Sequence, residues 1–252
     1  MNENTKFKII VPSYNSEKWI DKTLSSIVFQ NYKNYDVTII DDCSSDINQR
    51  NIIQSYCEKY NSQTNKWKYI FNENRMYALY NIVNGIYNSE CNDEDVIIIL
   101  DGDDWFYDEN VLNKVNYNYS NNDIYMTYGQ YITYPKNEFG HCRDISKDVI
   151  KNISYRKNDW LFSHLKTFKF ELFRQIDKKD FLDKDGQYMK MTYDLALMYP
   201  IAEMANGKIK FISDILYTYN NDNPINDNKV NVNEQRRLDY LIRNREIYNA
   251  IV

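Results

Sequence analysis

The 252-residue sequence predicts an α/β fold: a Rossmann-like, mostly parallel central sheet with flanking helices, then a mixed α+β second half and a C-terminal helix. Three observations carry this. Strand-like apolar runs alternate with helical patterns over roughly the first hundred residues. The fourth run, residues 96–100 (Val-Ile-Ile-Ile-Leu), is apolar throughout, which marks a strand covered on both faces and so central in a parallel sheet. Polar, acid-rich segments follow the first, second and fourth runs, at the carboxyl ends where such sheets bind ligands.

In order, residues 7–11 form a strand ended by Pro12, which cannot donate to a ladder. Ser16 is placed to cap a helix running through Gln30, with Trp19, Ile20, Leu24, Ile27 and Val28 at helical spacing. Residues 37–40 form the second strand, 41–45 a turn, and Ile52, Ile53, Tyr56 and Tyr60 the next helical face. A third strand over 68–71 precedes a helix over 76–87 with Leu79, Ile82, Val83 and Ile86 inward. Beyond Trp105 the alternation degrades: strands are expected over 124–134 and 166–170, a helix over 194–205, and a final strand pair at 209–212 and 215–219. An Asn- and Asp-rich mobile loop over 220–233 then leads to a charged helix from Glu234 to about Ala250. The expected division is a main domain over 1–220, with halves 1–107 and 108–220, and a loop plus helix over 221–252 that docks on it or forms a dimer interface.

The net charge is −5 and basic residues are scattered without a stripe, which argues against a nucleic-acid partner. Cys43, Cys57, Cys91 and Cys142 are far apart and lack zinc-ligand spacing, so reduced thiols are expected. No apolar run approaches the roughly 18 residues of a membrane helix. The polar start Met1-Asn2-Glu3-Asn4 has no signal-peptide character, so a cytoplasmic site of action is expected. With 24 Tyr in the chain, a single tyrosine carries little weight as a signature.

Asp101-Gly102-Asp103-Asp104-Trp105 places three carboxylates just past the buried fourth run. Such crowding raises the free energy of the fold unless a cation sits there, and oxygen ligands suit Mg²⁺ or Mn²⁺. The plainer alternative is a solvated acidic turn with Asp104 capping the next helix.

Residues 11–20 (Val-Pro-Ser-Tyr-Asn-Ser-Glu-Lys-Trp-Ile), Leu24-Ser25-Ser26-Ile27, Gln30-Asn31-Tyr32 and 40–46 (Ile-Asp-Asp-Cys-Ser-Ser-Asp), in this order and spacing, resemble the start of family-2 inverting glycosyltransferases of the GT-A fold. Asn72 through Asn81 and Asp101–Asp103 are similar to that family's paired asparagines and D-x-D; residues 7–107 carry the resemblance, and 188–220 a weaker part. It implies a nucleotide-sugar site of Pro12, Tyr14, Asn15, Asp41, Asp42, Arg75, Asp101, Gly102, Asp103 and Trp105. Tyr14 resembles the residue that packs on uracil and Asp42, or its neighbour Asp41, the acceptor for the base N3–H, which would select a UDP-sugar. Asp103 would ligate the metal directly, Asp101 would face ribose, metal or metal-bound water, and His164 would be a third metal ligand or a phosphate contact. Arg75 would meet the diphosphate or pair with an acid, and Cys43 stands where the family has glycine, so a positive φ there would be strained.

An inverting transfer needs a general base for the acceptor hydroxyl. The stretch Thr192-Tyr193-Asp194-Leu195 is similar to the family's acidic pair at a helix start, which implies Asp194 as base, with Tyr193 replacing the first acid. Each residue also has a structural reading: helix capping for Asp41, Asp42 and Asp194, core packing for Tyr14, Trp105 and Trp160, a loop hydrogen bond for His164, and solvent for Arg75 and Lys166. A phosphatase of the haloacid-dehalogenase type and a sugar nucleotidyltransferase fit poorly around Asp104-Trp105 and Pro12-Ser13-Tyr14-Asn15. The remaining alternative to an enzyme is a non-catalytic nucleotide-sugar-binding or partner module. The expected donor carries a hexose or N-acetylhexosamine, and the expected acceptor is a glycan, lipid-linked sugar or protein side chain.

Overall fold

The computed structural model describes residues 5–121, 123–225 and 231–252; the polar start at 1–4 and part of the expected loop, 226–230, lie outside the described residues. The first half is β1 (Phe7–Ser13), α1 (Ile20–Val28), β2 (Tyr35–Asp41), α2 (Ile47–Tyr60), β3 (Trp67–Phe71), α3 (Tyr77–Asn88) and β4 (Val96–Ile99). The second is β5 (Trp105–Phe106), α4 (Val111–Asn121), β6 (Met126–Tyr134), α5 (Lys147–Lys151), β7 (Lys166–Lys169), α6 (Phe170–Phe173), α7 (Tyr193–Met204), β8 (Ile209–Asn220) and α8 (Val232–Arg243).

These strands form one sheet in the order β3-β2-β1-β4-β7-β6-β8-β5. The first four are mutually parallel, as are β6 and β8, while β7 runs antiparallel to both β4 and β6, and β5 antiparallel to β8. Side-chain parity divides the core. Ile10, Ile40, Ile97 and Ile99 pack with α3 and α7, whereas Ile9, Val11, Ile39 and Ile98 pack with α1 and Ile53 of α2. A strand apolar on both faces therefore sits between two cores, which is why the run at β4 shows no alternation.

Three local expectations are corrected. Ser16 does not cap α1 with its hydroxyl, which bonds the Tyr14 carbonyl; its own carbonyl accepts from Trp19 and Ile20. That helix stops at Val28, the Gln30 N–H tightening onto the Ile27 carbonyl, while the Gln30 side chain donates to the Ser26 and Asp108 carbonyls and accepts from Leu112 N–H. The expected final strand pair is one strand: β8 keeps pairing with β6 across register shifts near Gly129 and Gln130, so Ser213 and Asp214 are absorbed as a bulge.

The C-terminal helix ends at Arg243. Beyond it the backbone bonds to α7 and its surroundings: Tyr248 N–H donates to Glu203 at 3.1 Å and Ile251 N–H to the Met204 carbonyl at 3.1 Å. The link is centred on a buried ion pair, Arg156 Nε to Glu203 Oε1 at 2.6 Å, with Arg156 also donating to the Ile242 carbonyl at 2.6 Å. Removing one partner strands the other's charge in the core, so Arg156→Met should cost about 3 kcal/mol. Thermal unfolding followed by circular dichroism is expected to show a Tm lower by roughly 6–12 °C; an unchanged Tm would remove this pair from the account of how α8 is held.

Candidate functional site

The parallel register brings the ends of β1, β2 and β3 level, with Ser13 beside Asp41 and Asp41 beside Phe71. Gly102 comes so close to β1 that a Cβ there would lie 2.6 Å from the Cβ of Ser13, and its N–H donates to the Pro12 carbonyl at 2.9 Å. Only glycine lets the acidic turn press against the first strand. The antiparallel partner β7 begins with Lys166 opposite Ile99, so this lysine emerges beside the same turn.

The resulting cavity, of about 450 Å³, is lined by Tyr14, Arg75 and Tyr77 among others. The Arg75 guanidinium stands 3.9 Å from the Tyr14 ring centre and 4.6 Å from that of Tyr77. Asp42 is buried and accepts from Met76 N–H at 2.7 Å, Tyr77 N–H at 2.8 Å and the Asn72 amide at 3.0 Å; that amide also donates to Asn81 at 2.7 Å. The two asparagines thus tie Asp42 to the start of α3. Cys43 keeps the left-handed backbone of a glycine, φ 62°, and its thiol donates to the Glu73 carbonyl at 3.2 Å.

The acidic turn lines the same cavity. Asp104 is buried, accepting from the Tyr217 hydroxyl at 2.6 Å and Asn220 N–H at 2.7 Å. It therefore caps no helix, contrary to the plainer reading of the motif. The Asp103 carboxylate accepts from the Asn223 amide at 2.7 Å, and the Tyr193 hydroxyl lies 2.7 and 2.8 Å from the two oxygens of Asp101. Burial pushes all three acids up: Asp103 to about 6, with nearby Asp101 adding to it, and Asp104 well above the usual carboxylate range. Burial and then the neighbouring Lys166 ammonium push His164 well below its ordinary value, so the ring is neutral. It stacks on Tyr217 with ring centres 4.4 Å apart.

Ligand atoms of Asp101, Asp104 and His164 fall within 4.8 Å of one another; Asp103, expected as the direct metal ligand, is outside that group and turned to Asn223. Asp194 enters on the first turn of α7, whose N-cap Thr192 takes the left-handed conformation, φ 59°. Lys166 Nζ donates to Asp194 Oδ1 at 2.9 Å and to the Tyr193 hydroxyl at 3.0 Å.

Of the residues expected at the site, Pro12, Tyr14, Asp42, Arg75, Asp101, Asp103, His164 and Asp194 line this one cavity, and Trp160 joins them. Four others support it from behind. Asp41 is fully buried, accepting from the Gln49 amide at 2.7 Å and from Arg50 Nε at 2.7 Å. Asn15 accepts from Ser45 N–H at 2.9 Å, Gly102 is packed as above, and Trp105 is buried with the Lys22 ammonium 3.5 Å from its ring centre. A motif residue beside a strand end points either into the cleft or back into the sheet, and sequence order does not say which.

Residues 8–179 match the model of glycosyl transferase family 2. The chain belongs to this family. Among curated relatives, the family 2 chain is 26% identical over 219 residues to glycosyltransferase GlyG of Streptococcus pneumoniae, covering 84% of this chain and 69% of that one. Glycosyltransferase GlyA of the same organism is 26% identical over 235 residues, covering 85% of this chain but only 30% of that protein. Among solved structures, Staphylococcus aureus TarS residues 1–349 in complex with UDP-GlcNAc superpose with a TM-score of 0.63 at 17% identity, over 94% of this chain and 65% of that one. The mannosyltransferase PcManGT of Pyrobaculum calidifontis, in complex with GDP-Man and Mn²⁺, gives 0.55 at 14% identity, over 90% of this chain and 60% of that one. These likenesses establish the GT-A fold of the family 2 chain. Among the described residues no helix is long and apolar enough to cross a membrane.

Sequence reasoning passed over Tyr217, Asn223 and the pairing of Lys166 with Asp194. The first two lie more than a hundred residues from the carboxylates they contact. Their signal was a tyrosine and an asparagine in a chain rich in both.

Proposed function

We propose that this family 2 protein is a metal-dependent inverting glycosyltransferase that moves a hexose or N-acetylhexosamine from a UDP-sugar to an acceptor hydroxyl. The observation that carries the reading is that Asp194, the carboxylates of the acidic turn, Tyr14, Asp42 and Arg75 all line one cavity. TarS with UDP-GlcNAc and GalNAc-T7 with UDP, GalNAc and Mn²⁺, a structural neighbour at TM-score 0.59 and 14% identity, share the fold and support a uridine donor.

The donor set fits a hard divalent cation: carboxylates that burial holds up are the ones a cation would restore to the charged form, and the imidazole is neutral as a ligand must be. Asp101, Asp104 and His164 would hold Mn²⁺ or Mg²⁺, with Asp103 joining by leaving Asn223. When bound, the ion would neutralise charge on the diphosphate leaving group. Tyr14 offers the uracil ring a flat face once Arg75 moves off it, and Arg75 is then free to pair with phosphate. Asp194 takes the acceptor proton as the acceptor oxygen attacks the anomeric carbon from the face opposite the diphosphate.

Thermal shift with UDP-, GDP- and dTDP-sugars, with and without Mn²⁺, tests this. Mn²⁺-dependent stabilisation by a UDP-sugar and none by the others is the expected result; no shift with any nucleotide would sink the reading. One observation favours the alternative of a non-catalytic binding module: Tyr193 replaces the family's first acid and its hydroxyl engages Asp101. A chain that binds UDP-sugar but never releases UDP from it, with or without acceptors, would decide for that module.

A further inference from the structure

Lys166 is fully buried, at 0% exposure, at the start of a strand in the middle of the sheet. A buried ammonium costs several kcal/mol unless each of its protons finds an acceptor. Here Asp194 Oδ1 at 2.9 Å and the Tyr193 hydroxyl at 3.0 Å accept from it, and His164 Nδ1 lies 3.4 Å away. An ammonium has three protons and accepts nothing, so two of the three are committed to Asp194 and Tyr193.

What the arrangement does is visible in Asp194. Its Oδ1 is held by the lysine, while no group among the described residues donates to Oδ2. The carboxylate is thus pinned by one oxygen and open at the other, with its side chain 27% exposed. The same ammonium donates to Tyr193, which in turn donates to Asp101, so a short chain of bonds runs from the base candidate to the acidic turn.

We propose that Lys166 is a positioning residue that fixes Asp194 with Oδ2 facing the acceptor and, through the Tyr193 hydroxyl, sets its distance from Asp101. The inference rests on the glycosyltransferase reading above and deepens it. In the transfer, the proton of the acceptor hydroxyl passes to Asp194 Oδ2, the acceptor oxygen bonds to the anomeric carbon, and the bond from that carbon to the diphosphate oxygen breaks with its electron pair on the leaving UDP. Lys166 keeps its protons throughout. Tyr193 is then more than a lost acid: a carboxylate at its position would compete with Asp194 for the ammonium, whereas a hydroxyl accepts from the lysine and donates to Asp101.

The test is a double-mutant cycle in the full chain, read by UDP release from UDP-glucose and UDP-N-acetylglucosamine and by calorimetric titration with UDP. Lys166→Met should lower kcat by roughly 30-fold or more while donor KM and UDP affinity stay within about threefold. Combined with Asp194→Asn it should add less than about a further threefold, because a residue that acts through Asp194 has nothing left to position. Unchanged kcat in Lys166→Met, losses that multiply in the double variant, or a fall in UDP affinity as large as the fall in kcat would each overturn the proposal. Should Lys166→Met fail to melt cooperatively, Lys166→Arg decides, since it keeps the charge but presents a planar fork: binding of UDP with kcat at least tenfold lower, roughly, supports positioning, and unchanged kcat overturns it. Full activity in Asp194→Asn would remove both the base and its positioner, whereas activity lost there but kept in Lys166→Met would remove only this inference.

Discussion

Asp194→Asn is expected to lower kcat by roughly 10²–10⁴ while UDP still binds within about threefold of the parent affinity. The carboxamide keeps the shape and still accepts the Lys166 hydrogen bond through its carbonyl oxygen, so the helix start and the cavity wall should survive. What it cannot do is take a proton from an attacking hydroxyl. Asp194 pairs with Lys166 and makes no hydrogen bond to Tyr14, Asp42 or Arg75 among the described residues, so nucleotide binding should be little disturbed. The measurement is steady-state UDP release alongside calorimetric titration with UDP. Full turnover in this variant would move the base to another carboxylate.

The second large effect concerns Asp103. Asp103→Asn is expected to abolish the Mn²⁺-dependent part of the stabilisation by a UDP-sugar, and to raise the Tm of the metal-free chain at pH 7. The second half follows from the sign of its shift. Burial lifts the folded-state value from 3.8 to about 6, so between these the folded chain holds a proton that the unfolded chain has released. Stability therefore falls as pH rises through that window and stays lower above it. An asparagine never ionises and escapes the loss. With water reaching the half-buried carboxylate, the full two-unit cost shrinks to about 1 kcal/mol, roughly 2–4 °C in Tm. Thermal scans at pH 4.5 and pH 7, with and without Mn²⁺ and UDP-sugar, read both halves. If Asp104→Asn loses the metal response and Asp103→Asn keeps it, the ligand set is Asp101, Asp104 and His164.

Both predictions rest on residues that the sequence marks, yet the sequence marks them unequally. Asp101, Asp103 and Asp104 stand out because three carboxylates directly follow a fully apolar run. The apolar run itself places them at the end of a buried strand, since only a strand covered on both faces loses its alternation, and β4 does lie between two cores. The early strand-helix order was legible for the same reason: its periodicities are local, and parallel strands joined by helices leave few alternatives. Tyr14 and Asp42 were legible by position, directly after β1 and β2.

The partners were not. Tyr217 and Asn220 reach Asp104 from 113 and 116 residues away, and Asn223 reaches Asp103 from 120. Lys166 read as a surface lysine because an isolated charge at a strand start is usually solvated. It is buried because β7 inserts antiparallel between β4 and β6, a pairing no local pattern announces. The bulge that makes β8 a single strand, and the tail that leaves helical form to bond α7, were decided in the same way by the surfaces they meet.

The sequence by itself thus determined which segments are strands and helices in the first half, and which carboxylates crowd together at the end of the fourth strand. Those are properties of neighbours along the chain. Only the tertiary structure decided which motif residues face the cavity, so that Asp42 lines it and Asp41 lies behind it, and which distant donors meet each acid. The physical reason is that a hydrogen bond between residues a hundred positions apart depends on strand register and pairing direction, which are set by how whole faces pack and leave no periodic trace in the residues themselves.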